Sequence, residues 1–298
     1  MIIAAIVSLV LAFVMLDATP ALAWGPVTHV ALGVQALATV STPNGLLQAA
    51  LANLPEVFLY GSLAPDIVQG RRLQSRLRRH SHNWSTGLGL LDAAYKENEK
   101  AFALGYLAHL AADVVAHNFF LPARFVGHFA HGIGSHIYEE ACFDSLQESD
   151  YRDLLLKLLR LDFSALDRIL KRAIDSPLVG FGAHRMVFDG GLRRIREWHR
   201  VIKAIKGDAG IGHAEAEVFS RASQGAIAEA LKEQGAAPCC RFDPMGADAI
   251  KNALASRRNL QRLTRISPQA KKTAQDLGSS MLHDVMTHLG QTPFGRDA

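Results

Sequence analysis

The chain of 298 residues is long enough to bury a substantial core, and no composition shift divides it, so a single domain, 24–298, is expected after a short leading segment, 1–23. A formal charge of +4 is only a mild basic excess and does not mark a nucleic-acid binder. Three cysteines, Cys142, Cys239 and Cys240, are too few and too oddly spaced for a disulfide framework or a Cys-x2-Cys zinc site; they are expected to be unpaired, the alternative being one bridge from Cys142 to the neighbouring pair. With no glycine-rich nucleotide loop and no Cys-x2-Cys-His haem motif, a metal is the remaining cofactor class.

Met1 to Ala23 contains an apolar stretch from Ile2 to Leu16, the helix breaker Pro20, and Ala21-Leu22-Ala23, which has the form of a signal-peptidase site. Cleavage there would start the mature chain at Trp24 and change the charge from +4 to +5, because Asp17 is the only charged residue removed. No Lys or Arg precedes the apolar core, so an uncleaved membrane anchor is the alternative. Either route places the domain outside the cytoplasm, in the periplasm, secreted or anchored.

From Trp24 onward helical periodicity dominates and apolar–polar alternation is scarce, which predicts an all-α domain. Helices are expected at about 27–40, 46–54, 84–97, 100–121, 135–147, 149–160, 163–175, 182–205, 212–234, 245–255 and 267–289, each boundary uncertain by roughly two to four residues. Eight of the thirteen histidines precede residue 137, so the chemistry is expected in the first half. Later helices carry basic faces such as Arg193-Arg194-Ile195-Arg196-Glu197-Trp198-His199-Arg200, which read most simply as solvated surface.

Metal-ligating residue types recur in chain order. His29 follows Trp24 closely, Asp66 ends Gly61-Ser62-Leu63-Ala64-Pro65-Asp66, and His80 and His82 precede the helix at Trp84. His109, Asp113 and His117, four residues apart in an apolar run, project from one stripe of a helix. The span from His109 to His117 is about 12 Å, too long for both imidazoles to meet one ion comfortably, so Asp113 is expected to bridge two ions. His136 and Glu140 form a further i,i+4 donor pair. A freed α-amine at Trp24, with a reference pKa near 7.7–8.0, would also be a usable ligand. Singly, each residue is explained as well by a cap, a turn or a buried polar group.

As an ordered series from Trp24 to Glu140, these residues resemble the bacterial zinc-dependent phospholipases C, whose fold is shared with the S1/P1 single-strand nucleases. The resemblance implies metal ligation by Trp24 through its amine and carbonyl, and by His29, Asp66, His82, His109, Asp113, His117, His136 and Glu140. It implies three zinc ions: one held by Asp66, His82 and His109, a second by Trp24 and His29, a third by His117, His136 and Glu140, with Asp113 bridging two of them. His80 competes with His82, and His128 and His131 compete with His136, although neither of those has a Glu four residues on.

The implied activity is phosphodiester hydrolysis of phospholipid by metal-activated water, with Asp66 as the catalytic residue that orients or deprotonates the water. The five arginines of Arg71-Arg72-Leu73-Gln74-Ser75-Arg76-Leu77-Arg78-Arg79 would attract anionic phosphate and suit a membrane surface or a nucleic-acid backbone equally. Trp84, Phe119 and Phe120 are candidates for an apolar lip, although aromatics at helical spacing more often belong to a core. The alternatives are a single-strand nuclease, with nucleic acid as partner, and a non-catalytic exported metal-binding protein. No protein partner is inferred.

Overall fold

Helix α5 (Glu97–Val115) organises the molecule, and every residue from Ala101 to Val115 is buried. The structure, a computed structural model, describes residues 24–41, 44–68, 80–129, 136–174, 180–205 and 210–291. The leading segment 1–23 and the arginine-rich stretch 71–79 lie outside the described residues. Among the described residues the chain is helical with no strand, as the periodicity predicts.

Alanines at 101, 103, 108, 111 and 112 let neighbouring helices approach α5 on all sides. Before it in the chain come α1 (Pro26–Thr39), α2 (Gly45–Asn53), α3 (Pro55–Gly61) and α4 (Trp84–Asp92). Helix α3 was not anticipated as a separate element, yet Pro55 at its first turn followed by Glu56 is an ordinary helix-start signal. The expected helix 84–97 stops at Asp92, and α5 begins at Glu97, where the Glu99 carboxylate accepts the backbone N–H groups of Tyr95 and Lys96.

α5 does not end at Val115. It runs through a π turn (Ala116–Phe120) directly into α6 (Leu121–Gly127), past Pro122. Proline cannot donate to, and would clash with, the carbonyl four residues back; widening the turn resolves this, and the Leu121 N–H instead reaches the Ala116 carbonyl.

Then follow α7 (His136–Asp144), α8 (Ser149–Leu158), α9 (Ser164–Ala173), α10 (Phe181–Leu192), α11 (Ile195–Ile205), α12 (His213–Glu233), α13 (Ala247–Leu263) and α14 (Pro268–Gln291). The expected helix 182–205 is two helices, broken just after the Gly190-Gly191 pair, where two glycines raise the backbone-entropy cost of continuing. α12 and α3 pack along α5, while α13 and α14 pack on α6. Buried Tyr60 ties the two halves of the chain together: its hydroxyl bonds Asp167 of α9, and Arg185 of α10 reaches both. No helix among the described residues is long and apolar enough to cross a membrane.

Candidate metal centre

Two glycines bring the site together. Where α3 crosses α5, a Cβ on Gly61 would lie 2.2 Å from the Phe102 carbonyl oxygen, and one on Gly105 would lie 2.0 Å from that of Phe58. Only backbone fits at this crossing. The close approach presents the Ser62 carbonyl to His109, one turn along α5, whose Nδ1 lies 2.8 Å away and donates to it. The chain then turns through Pro65 in a 3-10 segment (Ala64–Ile67) that points Asp66 at the same helix. His82 arrives from the turn before α4; Asn83 caps that helix by accepting from Ser85 N–H, and the Tyr106 hydroxyl of α5 pins the Ser81 carbonyl.

The result is a buried knot of three imidazoles and two carboxylates. Asp113 Oδ2 lies 3.2 Å from His109 Nε2 and 3.4 Å from His82 Nε2, while its Oδ1 lies 3.3 Å from His29 Nε2. Asp66 Oδ1 lies 3.3 Å from His82 Nε2 and 3.9 Å from His109 Nε2. The His29 and His109 rings stack at 3.9 Å. The donor atoms of His29, Asp66 and His109 lie within 4.8 Å of one another, and so do those of His82, His109 and Asp113. All five residues are at most 3 % exposed.

Such a group suits a cation. With His109 Nδ1–H committed to Ser62, its Nε2 is the lone-pair nitrogen, and it faces His82 Nε2 at 3.0 Å. His82 Nδ1 lies 2.9 Å from Ser81 Oγ, a hydroxyl that can accept its proton in the same tautomer. Two lone pairs at that distance repel unless a proton or a metal lies between them. His29 Nε2 and both Asp113 oxygens are buried and make no hydrogen bond, which is costly for a protein alone and expected of ligand atoms aimed at a common point.

Burial, reinforced by His109, lowers the His29 pKa and keeps that imidazole neutral, the form that binds metal. Burial pushes the Asp113 carboxyl up, but the His109 and His29 imidazoles outweigh it and hold it well below the usual carboxylate range. The donor set of nitrogen and carboxylate oxygen fits zinc.

Of the nine sequence-predicted ligands, the structure gathers His29, Asp66, His82, His109 and Asp113. It places His82, not His80, in the knot; His80 lies in the same turn with its Nε2 3.4 Å from Asn83 Nδ2. Trp24 is fully buried beside the knot, its indole N–H shared between the Ala112 carbonyl at 3.1 Å and Ser223 Oγ at 3.2 Å. Its ring packs on Phe120 and Phe143. Sequence reading assigned Trp24 a role through its backbone; the structure adds a side chain that anchors the segment.

His117 is buried on the π turn, and its Nδ1–H donates to the Pro244 carbonyl, which leaves the lone pair on Nε2. Glu140 is buried on α7. The His136 side chain and His131 lie outside the described residues, and His128 Nε2 accepts from Arg124 at 2.7 Å. Phe120 is core rather than lip, because it packs under Trp24; Trp84 and Phe119 are half-buried and contact Phe242. None of the three cysteines is in a disulfide, as expected.

One residue of the site escaped the sequence reading. Asp144 caps α1 from another helix, accepting from Thr28 N–H at 2.7 Å and Thr28 Oγ1 at 3.0 Å, with His199 Nε2 2.8 Å from its other oxygen. It thereby fixes the residue next to His29. Its spacing of four from Glu140 was the available signal, but a cap supplied across the fold leaves no local pattern.

Neither the curated proteins nor the solved structures contain a match to this chain. A family model described as zinc dependent phospholipase C matches residues 28–180, just over half of the chain, and that span contains all five residues of the knot. The protein therefore belongs to the zinc-dependent phospholipase C family.

Proposed function

We propose that the protein is a zinc-dependent phosphodiester hydrolase that cleaves phospholipid as a phospholipase C does, on an exported chain whose mature end is Trp24. The observation that carries this reading is the division of Asp113: one oxygen faces His29, the other His82 and His109. That arrangement suits a carboxylate shared between two cations. The first would take Asp66, His82, His109 and Asp113; the second His29, Asp113 and the Trp24 backbone. A third group of His117, His136 and Glu140 completes the proposed set of three ions. Zinc bound there would lower the pKa of water toward about 7 and stabilise negative charge on the phosphoryl oxygens.

The protein's own groups do the rest. The Ser62 carbonyl holds His109 in the tautomer that offers Nε2 inward. Asp66, beside His82 and almost fully buried, is the carboxylate we assign to orient the attacking water and take its proton. The half-buried Trp84 and Phe119 and the exposed Phe242, beside the turn that carries His117, suit contact with the apolar part of a lipid at a membrane surface.

The deciding experiment measures zinc content and hydrolysis on one preparation with two substrates, phosphatidylcholine vesicles and single-stranded DNA. Release of phosphorylated headgroup from the vesicles, abolished by chelator and restored by zinc, is the expected result. Cleavage of DNA alone would replace phospholipase with nuclease. Stoichiometric zinc with neither activity would leave a metal-binding protein.

A further inference from the structure

Adjacent cysteines sit at one end of the loop that clasps the His117 turn. Cys239 and Cys240 lie in a 3-10 turn (Pro238–Arg241) after α12. Cys239 is buried with its Sγ 3.6 Å from the Ala226 carbonyl, and Cys240 is half-buried with its Sγ 3.3 Å from the Gln234 carbonyl.

The residues that follow are bound one after another to the start of α4 and to the π turn that carries His117. The Phe242 carbonyl accepts from Trp84 Nε1 at 3.0 Å, the Asp243 carbonyl from Asn118 Nδ2 at 2.9 Å, and the Pro244 carbonyl from His117 Nδ1. Gly246, in the left-handed region at φ 54°, packs so closely on His117 that a Cβ there would lie 2.5 Å from its carbonyl oxygen. Whatever alters the backbone at 239–240 therefore pulls on the residues that orient His117.

We propose that Cys239 and Cys240 form a dithiol–disulfide site, closed by exchange with a low-molecular-weight disulfide, whose oxidised state loosens the clasp on His117. The Cys240 thiolate attacks the external disulfide and expels one thiol; the Cys239 thiolate, its proton lost to solvent, then attacks the Cys240 sulfur and expels the second. Two protein thiols become one disulfide, and the external disulfide is reduced to two thiols. The order follows from the interaction between the adjacent thiols, which pushes the Cys239 thiol up, with burial adding to the rise, and draws the Cys240 thiol down against its own burial. Cys240 is also the more exposed of the two.

Adjacent Cα atoms are about 3.8 Å apart across a trans peptide, below the roughly 4.4–6.8 Å that disulfides usually span. A bridge here cannot form without distorting the 3-10 turn, and such a strained bridge is readily reduced again, as suits a reversible site.

The consequence at His117 rests on the zinc reading above; formation of the bridge does not, so the two fail separately. The test treats the zinc-loaded protein with oxidised glutathione and then with dithiothreitol. It follows the peptide containing 239 and 240 by mass spectrometry, and zinc release by a chromogenic chelator. Expected are loss of two hydrogens from that peptide without retained glutathione, zinc release at least about threefold faster, and reversal of both by dithiothreitol. Cys240→Ser should show neither change, and Cys142→Ser both. Glutathione retained on Cys240 without closure, or closure with unchanged zinc release, would overturn the proposal.

Discussion

Replacing Gly105 by Ala tests how the metal centre is assembled. The added Cβ would stand 2.0 Å from the Phe58 carbonyl oxygen, against the 3.4 Å or more of ordinary contact, so α3 must retreat from α5 by about 1.4 Å. Neither partner is a flexible side chain. Overpacking of this kind costs about 1–3 kcal/mol and here should reach the upper end, outweighing the roughly 0.5–1 kcal/mol that Ala gains over Gly inside a helix. Ser62 and Asp66 follow α3 directly, so the retreat also moves the carbonyl that orients His109 and one of the two carboxylates of the knot. Metal sites tolerate about 0.2 Å of displacement, and zinc affinity should fall at least about tenfold. The control is Gly89→Ala in α4, where an added Cβ meets nothing within 4 Å and should stabilise by about 0.5–1 kcal/mol. Urea unfolding of the apo protein and zinc competition with a chromophoric chelator read the two effects. If Gly105→Ala matched Gly89→Ala in both, the crossing would not be what holds the site together.

Asp113→Asn should lower phosphodiester hydrolysis by more than about 100-fold and exceed any single His→Ala change, because in the proposed centre one carboxylate would serve both cations; a loss no larger than that of exposed Lys171→Ala would refute the shared role. Asp144→Ala should destabilise the protein by about 1–3 kcal/mol and weaken retention of zinc at His29, since Thr28 N–H loses its acceptor and His199 its partner; an unchanged urea midpoint would contradict the cap. In the apo protein, acid should destabilise through two groups. The pKa of His29 is lowered on folding, so the unfolded chain takes up its proton first, and stability falls as pH drops below about 6.5 toward the folded value. The pKa of Asp113 is also depressed, so its contribution is present above the unfolded carboxylate value and is lost as pH falls toward the folded one. Unfolding midpoints between pH 7.5 and 5 check this: His29→Asn should flatten the slope, and an unchanged slope would count against a neutral buried His29.

The amino-acid sequence by itself determined the helical class and named the five candidate ligands that lie together in the knot. Periodicity is a local property, so α1, α8, α9 and α12 are legible within a few residues, and i,i+4 spacing by itself puts His109 and Asp113 on one face. The helix expected to end at about 121 continues past Pro122 instead, because a π turn absorbs the missing donor and keeps the helix running past His117. The choice of His82 over His80 was also tertiary: both stand in one turn, and only packing against α5 decides which imidazole points inward. Asp144 capping α1, Trp24 wedged against Ala112, and the Pro244 carbonyl on His117 join residues about ninety or more positions apart. No local pattern encodes such contacts, because a side chain's partner across the fold is set by where two helices cross, and here that crossing depends on two glycines whose role becomes visible only once their neighbours are in place.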